Sequence, residues 1–105
     1  MNDVAKLLNA IGLCVKAGKV VFGVPMICEA MRAGRSNAPL LVLEAADTSD
    51  NTHKRITDKC SYYKTDHKRL EVGGEQLAAA VGKSAYIGAI AITDKGLCEL
   101  VKKHI

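Results

Sequence analysis

Apolar positions recur along this chain in two rhythms, and the rhythms alternate. Val4, Leu7, Leu8, Ile11, Cys14 and Val15 fall three and four apart, forming one face of a helix that Asn2 or Asp3 can cap and Gly18 can end. Lys19 to Phe22 is brief, β-branched and aromatic, and reads as a buried strand. Gly23 permits the sharp turn from that strand into a second helix. There Pro25 occupies the first turn, and Ile27, Ala30 and Met31 repeat at helical spacing up to Gly34. After turn chemistry at 35–39, Leu40 to Leu43 is a continuous apolar run of buried-strand length. Asp47 to Tyr63 opens on the capping residues Asp47 and Ser49 and continues as a helix through Ile56, Lys59, Cys60 and Tyr63. Thr65 to Val72 is polar with alternation at Leu70 and Val72, a weaker strand near an edge. Gly73 and Gly74 release the chain into a short helix, Glu75 to Val81, that Gly82 ends. Ile87 to Ile92 has the unbroken apolarity of a central strand, and Thr93 with Asp94 caps a last helix bearing Leu97, Leu100, Val101 and Ile105.

Strands without alternating polarity need cover on both faces, so helices should flank the sheet on each side. The expected architecture is α/β: a three-layer α/β/α sandwich with about four strands in a mixed sheet and about five helices. Residues 1–105 show no linker, internal repeat or low-complexity segment, and read as one domain.

Composition narrows the function. Aromatic residues make up only 4% of the chain, which argues against single-strand binders that stack successive bases on aromatic platforms. The net charge of +4 leans toward polyanions, but it is spread along the chain and no segment is a basic arm, so any nucleic-acid site must be made by folding. Cys14, Cys28, Cys60 and Cys98 lie far apart, without the paired spacing of a zinc or redox site. They read as buried reduced thiols, which points to a cytoplasmic compartment. The first residues lack the plan of a signal peptide, and no apolar run approaches a membrane span.

Candidate enzyme chemistry is thin. Gly12 to Lys19 imitates a phosphate loop but carries five residues between its glycines and Val20 where a hydroxyl should hold magnesium. Asp47 and Ser49 are explained as helix caps, while His53 and His67 read as solvated side chains. No nucleophile has the glycine elbow that would present it. Two stretches carry more: the strand–glycine–helix junction at 16–35, flanked by Lys16, Lys19, Arg32 and Arg35, and the loop from Gly82 to Tyr86. If both lie at one end of the sheet, helix-start amides, small apolar contacts and a cation from Lys83 suit a kinked RNA better than a regular duplex.

Together the residues resemble the ribosomal-protein superfamily of the 7Ae and 30e type that binds kink-turn RNA, closest to its small bacterial YlxQ-type members. The resemblance is carried by LLNAIGLCVKAGKVVFG at 7–23, the helix between Gly23 and Gly34, DTSDNTHKRITDKCSYYK at 47–64, and the closing VGK and AIAITDKG. It implies that the start of the second helix enters a sharply bent RNA while the loop before the last strand packs against a flipped-out base. Gly23, Arg32 and Gly34 match the family's positions, and Lys83, Ser84 and Ala85 fall in the packing loop. Where kink-turn binders place asparagine, glutamate and lysine, this chain has Pro25, Met26 and Glu29. Proline has no donor and methionine almost none, so base readout is lost at both, and Glu29 would repel a phosphate.

The resulting expectation is a non-enzymatic RNA-binding protein acting on kink-turn, ribosomal or other structured RNA, with weakened base readout and without cofactor, metal or small-molecule substrate. Gly23 and Val24 would shape the helix start, Lys16, Lys19, Arg32 and Lys83 would meet phosphates, and Ala85 would supply apolar contact. The alternative is a protein-interaction module on the same scaffold, with Val24, Pro25 and Met26 as its contact patch.

Overall fold

The structure, a computed structural model, describes residues 4–105; the cap expected from Asn2 or Asp3 lies outside them. Nine elements follow in strict alternation: α1 (Val4–Lys16), β1 (Val20–Phe22), α2 (Val24–Ala33), β2 (Leu41–Glu44), α3 (Asp50–Tyr63), β3 (Asp66–Arg69), α4 (Gly74–Ala80), β4 (Ala89–Ile92) and α5 (Lys95–Lys102). The four strands form one sheet in the order β1-β4-β2-β3. β4 runs antiparallel to both neighbours, with Val21 opposite Ala91 and Leu43 opposite Ile90, whereas β2 and β3 are parallel. The sheet is therefore mixed, and β3 is the polar edge strand that its composition suggests.

Side chains leave alternate faces of each strand, so one sheet feeds two cores. Leu41, Leu43, Ile90 and Ile92 meet α1, α4 and α5 through Leu7, Ile11, Cys14, Leu77, Cys98 and Val101. On the other face Val42, Ala89 and Ala91 meet α2 and α3 through Ile27, Met31, Ile56 and Cys60. The two alanines of β4 let the helices of this second layer approach closely. β1, by contrast, is an edge strand whose residues are only half-buried. An apolar composition gives no sign of whether a strand has one neighbour or two, which is why Lys19 to Phe22 reads as buried.

The helix ends follow local chemistry. Ser49 caps α3 by accepting from the Thr52 amide at 3.2 Å, and Asp94 caps α5 by accepting from Leu97 at 2.9 Å. Asp47 is no cap. Its carboxylate accepts from the Gly74 amide and the Tyr86 hydroxyl, across 27 and 39 residues of chain.

β2 ends on a carboxylate. Glu44 follows the apolar run but is fully buried on the α3 side of the sheet, in line with Val42 and opposite Arg69 in the register. Thr48 donates its hydroxyl to Oε2, His53 Nδ1 lies 2.9 Å from both carboxylate oxygens, and His67 Nε2 lies 2.8 Å from Oε1. His53 and His67 are thus not free solvated side chains; both are engaged with one buried acid. Desolvation pushes the Glu44 carboxyl upward, but the hydroxyl and the two imidazoles outweigh it and hold it below the ordinary carboxylate range. No helix among the described residues is long and apolar enough to cross a membrane.

Two outcomes follow from this packing. Glu44→Gln should lower stability at pH 7 by about 2 kcal/mol, since hydrogen bonds to a charged acceptor are replaced by weaker ones. A depressed folded-state pKa stabilises above the unfolded value, so the margin over the variant should shrink as pH falls through the carboxylate range, read by urea melts at pH 7 and pH 4. The thiols offer the second. Burial pushes Cys60 and Cys98 up to about 11 and raises Cys14 as well. A thiol at that value is roughly one part in a thousand thiolate at pH 8. Cys28, on α2, is only half-buried, against the expectation that all four thiols fill the core. Alkylation of the native protein at pH 8 should therefore modify Cys28 first, read by peptide mass mapping.

Candidate functional site

β1 stops at Phe22 because Gly23 turns the chain. Its φ of 85° and ψ of 148° lie in a region that L side chains rarely adopt, so the turn requires glycine. The Gly23 amide donates to Ala89 O at 2.9 Å, tying the turn to the first residue of β4. No side chain caps α2. Gly23 O takes the Ile27 amide, Pro25 has no N–H, and helix geometry leaves the first-turn amides of Val24 and Met26 for solvent or a ligand.

The chain segment entering β4 arrives at the same place. Lys83 N bonds Ala78 O at 2.9 Å, Ile87 N bonds Gly74 O at 3.2 Å, and Gly88 O takes the Ala45 amide at 2.8 Å. Asp47 clamps the rest: Oδ1 accepts from Gly74 N at 2.9 Å and from the Tyr86 hydroxyl at 3.1 Å. Burial and then the Asp47 contact raise the Tyr86 phenol, keeping it protonated as that donor. Gly74 leaves room for the ring, since a Cβ there would sit 2.2 Å from Tyr86 Cε2.

Between these parts lies an open cleft of about 530 Å³. Phe22, Gly23, Val24 and Pro25 form one wall, Lys83 and Ala85 to Gly88 the other, and Thr52 and Arg55 reach in from α3. Lys83 Nζ sits 4.8 Å from the centroid of the Phe22 ring, a cation–π contact that holds the ammonium over the cleft. Among the described residues the lining is mostly apolar, with two cations and no carboxylate. Such a surface can receive the face of an unstacked base while phosphates meet Arg55 and Lys83.

Of the residues singled out from sequence, Gly23, Val24, Pro25, Lys83 and Ala85 come together here. Met26, 59% exposed, lies just outside the rim on α2, and Ser84 is exposed in the loop without lining the cleft. Glu29 and Arg32 are spent on each other, with Arg32 Nη2 2.6 Å from Glu29 Oε1, so the exposed face of α2 is neutral at that turn. Lys19 stands at the other end of β1, four residues and roughly 13 Å of strand from Gly23. Lys16 borders a different groove, between α1 and α4. Phe22 and Tyr86 lie within the two stretches singled out without having been named as lining residues, and Thr52 and Arg55 lie outside both. Arg55 carries the only available signal: it stands three residues after Thr52, on the same side of a helix.

Comparison with known proteins agrees with the fold. The model of the family described as "Ribosomal protein L7Ae/L30e/S12e/Gadd45 family" matches residues 5–101. RNA-binding protein YlxQ of Bacillus subtilis (strain 168) is 40% identical over 86 residues, 82% of this chain and 81% of that protein. RNA-binding protein YlxQ of Enterococcus faecium is 31% identical over 100 residues, 95% and 91% of the two chains. Among solved structures, a Bacillus halodurans C protein of unknown function superimposes with a TM-score of 0.79 at 27% identity, covering 93% of this chain and 98% of its own.

The clamp on the loop is separable into two parts. Tyr86→Phe removes one hydrogen bond and should cost about 1 kcal/mol while leaving the ring in place. Gly74→Ala should displace the ring itself and loosen the 82–88 loop. Amide exchange at Ile87, which bonds Gly74 O, should rise clearly in Gly74→Ala and little in Tyr86→Phe.

Proposed function

The chain belongs to the ribosomal protein L7Ae/L30e/S12e/Gadd45 family, and from that membership we propose that it is a non-enzymatic RNA-binding protein whose cleft takes a sharply bent, structured RNA such as a kink-turn. The observation that carries this reading is the convergence of an uncapped helix start with a clamped loop around an apolar cleft bearing Arg55 and Lys83. Both curated relatives are named RNA-binding proteins, in agreement with it. In this role Gly23 and Val24 let the RNA approach the α2 amides, Phe22, Ala85 and Tyr86 receive an unstacked base, and Arg55 and Lys83 meet phosphates.

Pro25 and Met26 offer no base-reading hydrogen bond, so affinity rests on shape, helix amides and charge. Binding of that kind is sensitive to salt. Arg32 contributes little while Glu29 holds it, and Lys16 and Lys19 act from outside the cleft.

Titration of the protein against a kink-turn RNA and an unkinked duplex, each at low and moderate salt, tests the reading. Preference for the kinked RNA at both salts is expected. Arg55→Ala and Lys83→Ala should each weaken binding and lower the slope of log affinity against log salt by about one. Replacing the lost readers with Pro25→Asn, Met26→Glu and Glu29→Lys should raise affinity about tenfold or more, because each well-made base contact adds about 1–3 kcal/mol and the third change also releases Arg32. Equal binding to both RNAs that vanishes with salt would overturn the reading. It would favour the exposed Pro25 and Met26 as a protein-contact patch instead.

A further inference from the structure

We propose that Glu44, His53 and His67 form a binding site for one divalent transition-metal ion of the zinc class, beneath the first turns of α3. The ligand atoms converge: one imidazole nitrogen from each histidine and one oxygen of Glu44 all lie within 4.8 Å of one another. Glu44 Oε1 is the shared point, 2.9 Å from His53 Nδ1 and 2.8 Å from His67 Nε2. Two tetrahedral donors about 2.0–2.1 Å from an ion stand about 3.4 Å apart, so the oxygen–nitrogen separations of 2.8 and 2.9 Å, those of hydrogen bonds in the metal-free site, widen by roughly half an ångström on loading.

The carboxylate is also held from behind. Oε2 is held by the Thr48 hydroxyl and faces Arg69 Nε at 3.8 Å, while Arg69 Nη2 is itself tied to Thr48 O and Oγ1. These contacts orient the acid from behind, while Oε1 faces both imidazoles and His53 Nδ1 lies equally close to Oε2, as hydrogen-bonded carboxylates do at metal centres. The nearby guanidinium also repels a cation, which limits affinity without blocking the ligand atoms.

Ligand chemistry selects the ion. Two imidazoles and a carboxylate suit zinc, cobalt or nickel, whereas magnesium and calcium prefer oxygen alone. In the metal-free site His53 Nδ1 and His67 Nε2 face a carboxylate acceptor and so carry an N–H; to bind the ion each ring must move that proton to its other nitrogen. His67 is mostly enclosed, with 18% of its side chain exposed, and His53 is open at 41%, so the site is entered from the His53 side and water can complete the coordination. The ion would bridge α3 to β2 and β3, one residue from Thr52 at the cleft.

The test needs no RNA, so its failure leaves the RNA reading untouched. Zinc chloride is titrated calorimetrically into the full metal-free chain at neutral pH, and cobalt is followed by absorption. Expected are one ion per chain, a zinc-dependent rise in melting temperature, and affinity about tenfold or more weaker in His53→Gln and in His67→Gln. Because His53 also engages the buried Glu44, each variant is titrated well below its own metal-free melting temperature, where the folded chain reports binding alone. The absence of saturable zinc binding would overturn the proposal. So would affinity unchanged in both variants, or a thiolate-to-cobalt band showing that cysteines hold the ion.

Discussion

The antiparallel pairing of β1 with β4 decides where the candidate cleft forms. Because β4 runs against β1, the end of one strand lies beside the start of the other, with Phe22 opposite Ile90 and the Gly23 amide bonded to Ala89 O. The α2 start and the 82–88 loop meet for that reason and no other. Had the strands been parallel, the loop entering β4 would lie at the far end of the sheet, about where Lys19 is. Gly23 is subordinate to this geometry: its positive φ lets the chain leave the ladder within one residue, so that α2 begins at the rim of the cleft and not beyond it.

The same geometry sorts what was legible in the sequence from what was not. Helices and strands follow from local period, and β2 and β4 show themselves because burial on both faces requires unbroken apolarity. The junction and loop that meet at the cleft were legible too, as segments. Partnership between segments was not. Asp47 has the composition of a helix cap, yet it closes a contact with Gly74 and Tyr86 that only the folded sheet creates. Lys19 sits beside the junction in sequence and at the opposite end of β1 in space. Glu44 was hidden most thoroughly. One acid at the end of an apolar run looks like the place where a strand reaches solvent, and nothing local reveals that Thr48, His53, His67 and Arg69 will surround it.

Charge at the cleft has a similar history. Counted along the chain, α2 offers Arg32 as a cation and Glu29 as an opposing anion. On the helix they stand one turn apart and neutralise each other, both well exposed. An exposed pair of this kind adds little stability. Its effect is on recognition, because it removes α2 from the electrostatics and leaves Lys83 and Arg55, from a loop and from α3, as the charges that line the cleft.

α3 therefore belongs to two sites at once. Its first turns carry Thr52 and Arg55 to the cleft, and His53, between them, turns the other way to reach Glu44. Helical spacing makes this division unavoidable, since each residue is rotated about 100° from the one before. His53 seats this end of α3 on a carboxylate anchored to β2, alongside the core contacts of Ile56 and Cys60. A buried acid is costly unless every oxygen is engaged, and here the engagement spans Thr48, α3 and β3. The acid that ends β2 thus helps hold the helix that completes the cleft, and a change at Glu44 should be felt at Arg55.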